Sequence, residues 1–251
     1  MKRILVPLPS FDFDPTEIAV PAKLLMLAGH ALVFATPDGK PGCADPRMAT
    51  GKDMGLLKSV LMADHNGVTA YQELQGTSEF QNPIRWDQMV SKDYEGLLLG
   101  GGHAPGMRPY LESPLVQQMT VEFFAANRPV AAICHGTLVA ARSISSATGK
   151  SVLWGRKTTC LTWSQEMLAW NLTRLWLGDY YRTYRGLTVQ QEVIASLKDR
   201  LDFSAGPPPL RRDTPTDLKS GFVVRDGNYL SARWPGDAHK FGTEFVNILQ
   251  N

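Results

Sequence analysis

The apolar residues of this chain fall into two kinds of block. Residues 4–7 (I-L-V-P), 31–36 (A-L-V-F-A-T), 94–99 (Y-E-G-L-L-L) and 130–133 (V-A-A-I) are short, nearly continuous apolar runs without polar alternation. That pattern predicts strands buried on both faces. Between them the apolar positions spread to helical spacing. Residues 15–28 carry Ile18, Val20, Leu24, Leu25 and Leu27 and end at Gly29, and residues 114–126 open with Ser113 as N-cap and Pro114 at the first helical position. Strand, helix and strand over residues 4–36 form a β-α-β unit, so its two strands are parallel and joined by a right-handed crossover. Pro21, inside the helical stretch, predicts a kink or a late start.

The rest of the chain is more broken. Residues 37–55, rich in Gly, Pro and Asp, read as loop, residues 55–74 as a helix interrupted at Asn66-Gly67, and residues 76–83 as loop again. Short strands are expected at 152–153 and 157–161, and helices at 164–177 and 188–197. Trp154, Trp163, Trp170 and Trp176 lie in or beside this region and are expected to pack rather than bind a ligand. Gly206-Pro207-Pro208-Pro209 is a stiff break. Residues 222–225 and 228–232 then flank Asp226-Gly227 as a tight hairpin. A last helix at 238–249 sets Phe241, Phe245, Ile248 and Leu249 on one side.

Composition narrows the function classes. The 251 residues suit one α/β domain with an insertion. Lys and Arg total 26 against 24 Asp and Glu, a net charge of +2 with no basic block to track a phosphate backbone, which argues against nucleic acid as partner. No apolar run approaches the roughly 18 residues that cross a bilayer, so no membrane partner is expected. The start, M-K-R-I-L-V-P-L-P, is too short in apolar residues for a signal peptide. Cys43, Cys134 and Cys160 are odd in number and widely spaced, which points away from a disulfide framework and toward a reducing, cytoplasmic setting. Neither C-x-x-C nor H-E-x-x-H occurs, and no metal is expected.

The chemistry concentrates at P-V-A-A-I-C-H-G-T-L-V-A-A, residues 129–141. A buried strand, a reactive side chain and a helix follow in that order, the logic of a nucleophile elbow that presents Cys134 at a helix N-terminus. Amide dipoles there favour thiolate, and Gly136 permits close approach. A small buried hydrophobe is the alternative reading of Cys134. Gly100-Gly101-Gly102-His103 follows the third strand; Pro105 stands where a dinucleotide fingerprint needs glycine, so an oxyanion hole or a tight turn is the better use. His103 is expected to line the site or cap the turn. Glu17 sits near the carboxyl end of the sheet, where open α/β folds place ligands; taken alone, such a glutamate is ordinarily a solvated first-turn residue that favours the helix dipole.

Taken together, A-I-C-H-G around Cys134, L-L-L-G-G-G-H leading to Gly102, E-I-A-V-P from Glu17 and Y-L-S-A-R-W-P-G before the last helix resemble the ThiJ/PfpI superfamily, and most closely its heat-shock chaperone and glyoxalase III branch. The resemblance implies a class I glutamine amidotransferase-like α/β fold: a mostly parallel open, flavodoxin-like sheet with helices on both faces. It further implies a single domain over 1–251, with a small helical cap at 164–212 and a C-terminal hairpin. Cys134 would be the nucleophile, Glu17 its proton partner, and the backbone of Gly101, Gly102 and His135 the oxyanion site. His135 would be catalytic too, sharing the proton transfers with Glu17, although a side chain directly after an elbow is expected to point away from the sulfur and in relatives pairs with an acid; Glu166 lies in roughly the right region, and Cys160 falls where some relatives carry a histidine.

This resemblance implies cofactor-independent conversion of methylglyoxal or a related 2-oxoaldehyde to a 2-hydroxy acid, with a raised Glu17 pKa and a lowered Cys134 pKa. Its partners would be a small carbonyl substrate and a second copy in a homodimer. Two other readings keep the same thiol: a cysteine hydrolase or hydratase acting on an amide or isonitrile, and a redox-responsive stress chaperone or protein deglycase.

Overall fold

The computed structural model describes residues 1–250. Its strands are Arg3–Pro7 (β1), Phe11–Phe13 (β2), Ala31–Thr36 (β3), Cys43–Ala44 (β4), Ile84–Arg85 (β5), Gly96–Leu99 (β6), Val130–Ile133 (β7), Val223–Asp226 (β8) and Tyr229–Ala232 (β9). Seven of them form an open sheet in the order β5-β3-β1-β6-β7-β9-β8, parallel throughout except for the β8–β9 hairpin; β2 and β4 pair separately. Every residue of β6 and β7 is buried, as expected for strands covered on both faces.

Strand order dictates where the site must be. From β1 the chain crosses to β3 on one side, and from β6 it crosses to β7 on the other. Both crossovers are right-handed by the general rule, so their helices cover opposite faces, and the loops leaving β1 and β6 diverge at their carboxyl ends. Helix Pro15–Leu27 packs with His65–Gln75 and Ala238–Gln250, while Pro114–Ala125 packs with Gly136–Arg142. Helix Val189–Ser196, expected within a cap, packs on Gly136–Arg142.

Several local expectations are corrected. The Pro15–Leu27 helix starts at its Asp14 N-cap and runs on through Pro21. Pro21 has no N–H to return to the Glu17 carbonyl. It lies instead where a Cβ on Gly242 would approach its Cα at 3.0 Å, so tight helix packing compensates for the lost bond. Residues 37–55 are not all loop: Asp45 caps a short helix, Pro46–Thr50, by accepting from the Arg47 amide at 2.8 Å, and Gly51 closes it at φ 71°. The D-P and G signals mark the ends of a helix there as well as turns.

The break expected at Asn66-Gly67 falls before Asp64, which caps His65–Gln75 by accepting from the Gly67 amide at 2.9 Å. A short helix, Ser78–Gln81, stands within 76–83. Residues 152–153 and 157–161 form no strands, only the isolated bridges Ile144–Ser151 and Thr158–Phe203. The hairpin turn is Gly227-Asn228, one residue later than expected, because Asp226 already pairs with Tyr229. Trp154, Trp163 and Trp176 are about half exposed rather than packed.

The last helix is the apolar closure of the sheet, with Phe241, Phe245 and Leu249 fully buried. Phe245 lies over Gly96 in β6, where even a Cβ would sit 3.4 Å from its ring and collide with Ile4 and Leu249. Removing that ring leaves a void which neighbouring backbone cannot fill. Phe245→Ala is therefore expected to cost about 3–5 kcal/mol of stability, read as a lower urea midpoint with an unchanged slope.

Candidate active site

Three loops meet at the sheet's divergence point. The turn after β7 carries Cys134 at φ 56°, a left-handed conformation that costs a non-glycine residue roughly 1–2 kcal/mol. The Cys134 amide donates to the Ala232 carbonyl at 3.0 Å, and the Thr137 hydroxyl donates to the Cys134 carbonyl at 2.6 Å, so both sides of the turn are fixed. Gly136 is required next: a Cβ there would strike the Leu99 and Gly100 carbonyls.

Glu17 arrives from the helix after β2. The sequence D-P-T-E at 14–17 has the form of a capping box, in which Glu17 would bond back to the Asp14 amide. Asp14 does cap the helix, accepting from the Thr16 and Glu17 amides at 2.8 and 3.1 Å. Its own amide, however, donates to the Gly101 carbonyl at 2.9 Å. Glu17 is thereby released from the box, and its carboxyl, on a residue only 1% exposed, turns to the Cys134 sulfur. The solvated reading of this glutamate is excluded. Gly101 lies against the pair, since a Cβ there would overlap Glu17 Oε2 and come within 2.9 Å of Cys134 Cβ. Gly102, at φ 145°, completes the turn with no room for a side chain between Asp12 and Asp14.

Contrary to the expected outward orientation, the His135 side chain faces Cys134, with Nδ1 3.4 Å from Sγ. Its other nitrogen, Nε2, lies 2.9 Å from the Thr183 hydroxyl, which gives its only proton to the His103 carbonyl at 2.6 Å. Thr183 must then accept from Nε2–H, which leaves Nδ1 as a bare lone pair aimed at the sulfur. Glu166 is not the partner of His135: it accepts from the Val189 amide at 2.9 Å and faces Arg182 at 3.4 Å. Cys160 is fully buried and gives its thiol to the Leu161 carbonyl at 3.4 Å.

Burial sets the protonation states. It raises the Glu17 pKa well above the carboxylate range, the charge of Asp14 adding to the effect. The Cys134 pKa is also raised, by burial and then by Glu17, although the His135 backbone N–H pulls the other way. The expected lowering of the Cys134 pKa is thus overturned: the helix terminus cannot outweigh a dry site shared with a carboxyl. The His135 pKa is lowered well below the ordinary imidazole value by burial first, with His103 and Arg142 adding to it, and burial pushes His103 down to about 3. The resting site is an acid, a thiol and a neutral base in contact.

These groups open into a cavity of about 370 Å³, lined also by His103, Glu166, Tyr181, Arg212 and Trp234. Residues 163–183 form one wall. His103 stacks on Tyr181 at 4.3 Å and meets Tyr180 edge-on, while the Tyr180 hydroxyl donates to Asp45. Arg108 Nε donates to the Thr183 carbonyl at 2.9 Å and fastens this wall to the short helix Arg108–Leu111. Thr183, Asp14, Arg212 and Tyr181 were not singled out in the sequence. Only Asp14 carried a local signal; Thr183 meets its partner across 48 residues. Among the described residues no group of three or more His, Cys, Asp or Glu side chains could hold a metal ion, and no helix is long and apolar enough to cross a membrane.

An open, mostly parallel α/β sheet with a cysteine elbow facing a buried glutamate defines the class. The profile described as ThiJ/PfpI family-like matches residues 8–198, and the chain belongs to the ThiJ/PfpI family. It is 31% identical over 143 residues to Protein DJ-1 homolog D of Arabidopsis thaliana, covering 57% of this chain and 31% of that protein. It is 28% identical over 167 residues to Deglycase PfpI of Pyrococcus furiosus, covering 66% of this chain and 69% of the relative. The chain thus spans about a third of the first and about two thirds of the second. In structure it is similar to glyoxalase III from Candida albicans, with a TM-score of 0.67 at 19% identity over 98% of this chain and 97% of the other, a likeness of fold.

Two measurements follow from this geometry. Glu17→Gln removes an acid that the native state keeps protonated while the unfolded chain ionises it above its ordinary pKa. Wild type therefore loses stability as pH rises from the unfolded Glu17 value toward the folded one, and the variant does not. The stability advantage of the variant is expected to grow by about 1.4 kcal/mol per pH unit over that window, measured by urea melts from pH 5 to pH 8. Thr183→Val strands Nε2–H and frees the imidazole to change tautomer. It is expected to slow alkylation of Cys134 by iodoacetamide about tenfold, the equivalent of one lost hydrogen bond, with the melting temperature as control.

Proposed function

We propose that the protein is a cofactor-independent glyoxalase III-type enzyme that converts a 2-oxoaldehyde to the corresponding 2-hydroxy acid. One observation carries this reading: both Glu17 oxygens are buried without a hydrogen-bond partner at the Cys134 sulfur, while a neutral His135 presents a free lone pair to the same atom. A buried carboxyl without partners costs stability and is retained where a proton must move. Relatives with compatible names are Glutathione-independent glyoxalase hsp3102 of Schizosaccharomyces pombe, 24% identical over 153 residues and covering 60% of each chain, and the archaeal deglycase above.

The steps balance on these groups. Sγ bonds to the aldehyde carbon, the thiol proton passes to His135 Nδ1, and Glu17 protonates the former carbonyl oxygen to give a hemithioacetal. The Glu17 carboxylate then takes the hydrogen from that carbon; the released electron pair forms the carbon–carbon double bond of an enediol, whose second oxygen takes the His135 proton. Glu17 returns its proton to the second carbon while the first hydroxyl gives its proton to His135, which leaves a thioester. Water adds to the thioester carbon, its proton restores Glu17, and the departing sulfur regains a proton from His135. The backbone N–H groups of Gly102 and His135 are assigned to the negative oxygen of the tetrahedral stage.

Purified protein supplied with methylglyoxal and no glutathione is expected to form lactate. Cys134→Ser and Glu17→Gln should each lower kcat by 1,000-fold or more, on the order expected for loss of a nucleophile or its proton donor. Turnover undiminished in either variant, or no lactate from wild type, would sink this assignment and leave the hydrolase and deglycase readings.

A further inference from the structure

The cavity holds more than a three-carbon substrate needs. Methylglyoxal has five non-hydrogen atoms, on the order of 100–150 Å³ at about 30 Å³ for each water-sized group, against a cavity of about 370 Å³. Much of its wall is apolar, including Met48, Leu61, Leu161 and Ala169. Against that wall stand two polar groups the proposed chemistry leaves idle. Arg212 Nη2 donates to the Met62 carbonyl at 2.9 Å, and its guanidinium lies 5.5 Å from the centre of the Trp234 ring. Its Nη1 is buried with no acceptor, as is the indole Nε1–H of Trp234, and both residues line the cavity.

A buried guanidinium N–H and a buried indole N–H each lose their water and gain nothing in exchange unless a ligand supplies the acceptor. None of the neighbouring carboxylates bonds to either group: Asp14 accepts two helix amides on Oδ1, Glu166 faces Arg182, and Glu17 is turned to the sulfur. The charge of Arg212 nevertheless reaches the reaction centre, since it favours the ionised forms of both Asp14 and Glu17. A fixed fork of donors beside an apolar wall is the complement of a carboxylate on a short hydrocarbon arm.

We propose that Arg212 and Trp234 form a carboxylate subsite, and that the substrate is a 2-oxoaldehyde bearing a terminal carboxylate on a short apolar chain. The reactive aldehyde lies at Cys134 and the carboxylate accepts from Arg212 Nη1 and Trp234 Nε1. This rests on the glyoxalase-type reading above for the reactive end and on the idle donors for the other.

The test compares 4,5-dioxopentanoate with 2-oxopentanal, which have the same chain length and differ only in a carboxylate for a methyl group. Wild type is expected to favour the carboxylate substrate by at least about tenfold in kcat/KM, the worth of one charge-assisted contact. That ratio should fall to about one in Arg212→Met, partly recover in Arg212→Lys, and drop in Trp234→Phe, which keeps the ring but not the N–H. Equal turnover of the two compounds by wild type, or a ratio unmoved by Arg212→Met, overturns the subsite. If neither compound turns over, the glyoxalase assignment falls and binding decides this one: unreactive 4-oxopentanoate, but not 2-pentanone, should protect Cys134 from iodoacetamide in wild type and lose that effect in Arg212→Met. Absence of such protection overturns the subsite as well.

Discussion

The site depends on one backbone angle. Cys134 is held in the left-handed region by a strand bond on its amide and a hydroxyl bond on its carbonyl, at a cost that only a packed surround can sustain. It is with this angle that the sulfur meets Glu17 and His135. The glycines around it serve the same constraint. Gly136 lets the following helix begin under the β6 carbonyls, and Gly101 lets the glycine turn lie directly on the Glu17–Cys134 pair. A single side-chain carbon at either place would displace backbone rather than a flexible tip.

The second dependence is a diverted hydrogen bond. By giving its amide to Gly101, Asp14 joins the β1 loop to the β6 loop and in the same act releases Glu17 from a local cap. Helix start, loop docking and the position of the acid are therefore one arrangement. Its electrostatic consequence is the proton distribution of the resting site. With no backbone donor to stabilise a carboxylate, Glu17 keeps its proton, and a neutral pair is what a dry pocket tolerates.

Much of this was legible in the chain itself, for physical reasons. Strands buried on both faces write themselves as continuous apolar runs, and the strand–cysteine–glycine–helix order at 130–141 has few structural uses besides an elbow. Local punctuation was less secure because one residue type serves several ends: Asp45-Pro46 and Gly51 bound a helix where Gly and Pro read as loop, and Asp226 joined its strand when the turn took Gly227-Asn228. What could not be read was the wall opposite the sheet. Thr183, Tyr180 and Arg212 reach the site through folding of residues 163–212, and no spacing rule connects position 183 to position 135. The pKa of Cys134 was misjudged for a similar reason: a helix terminus is visible in sequence, but the dryness of its surroundings is not.

The bond from His135 to Thr183 joins the sheet to its covering wall. Cys134 and Glu17 are carried by elements packed on or leaving the sheet, whereas Thr183, which decides which imidazole nitrogen keeps its proton, is carried by the covering wall. Wall position and base strength are consequently a single mechanical coordinate: a shift that lifts Thr183 from Nε2 also withdraws the lone pair from the sulfur. Any displacement of the covering segment is therefore also a change at the thiol, although no residue of the elbow is altered.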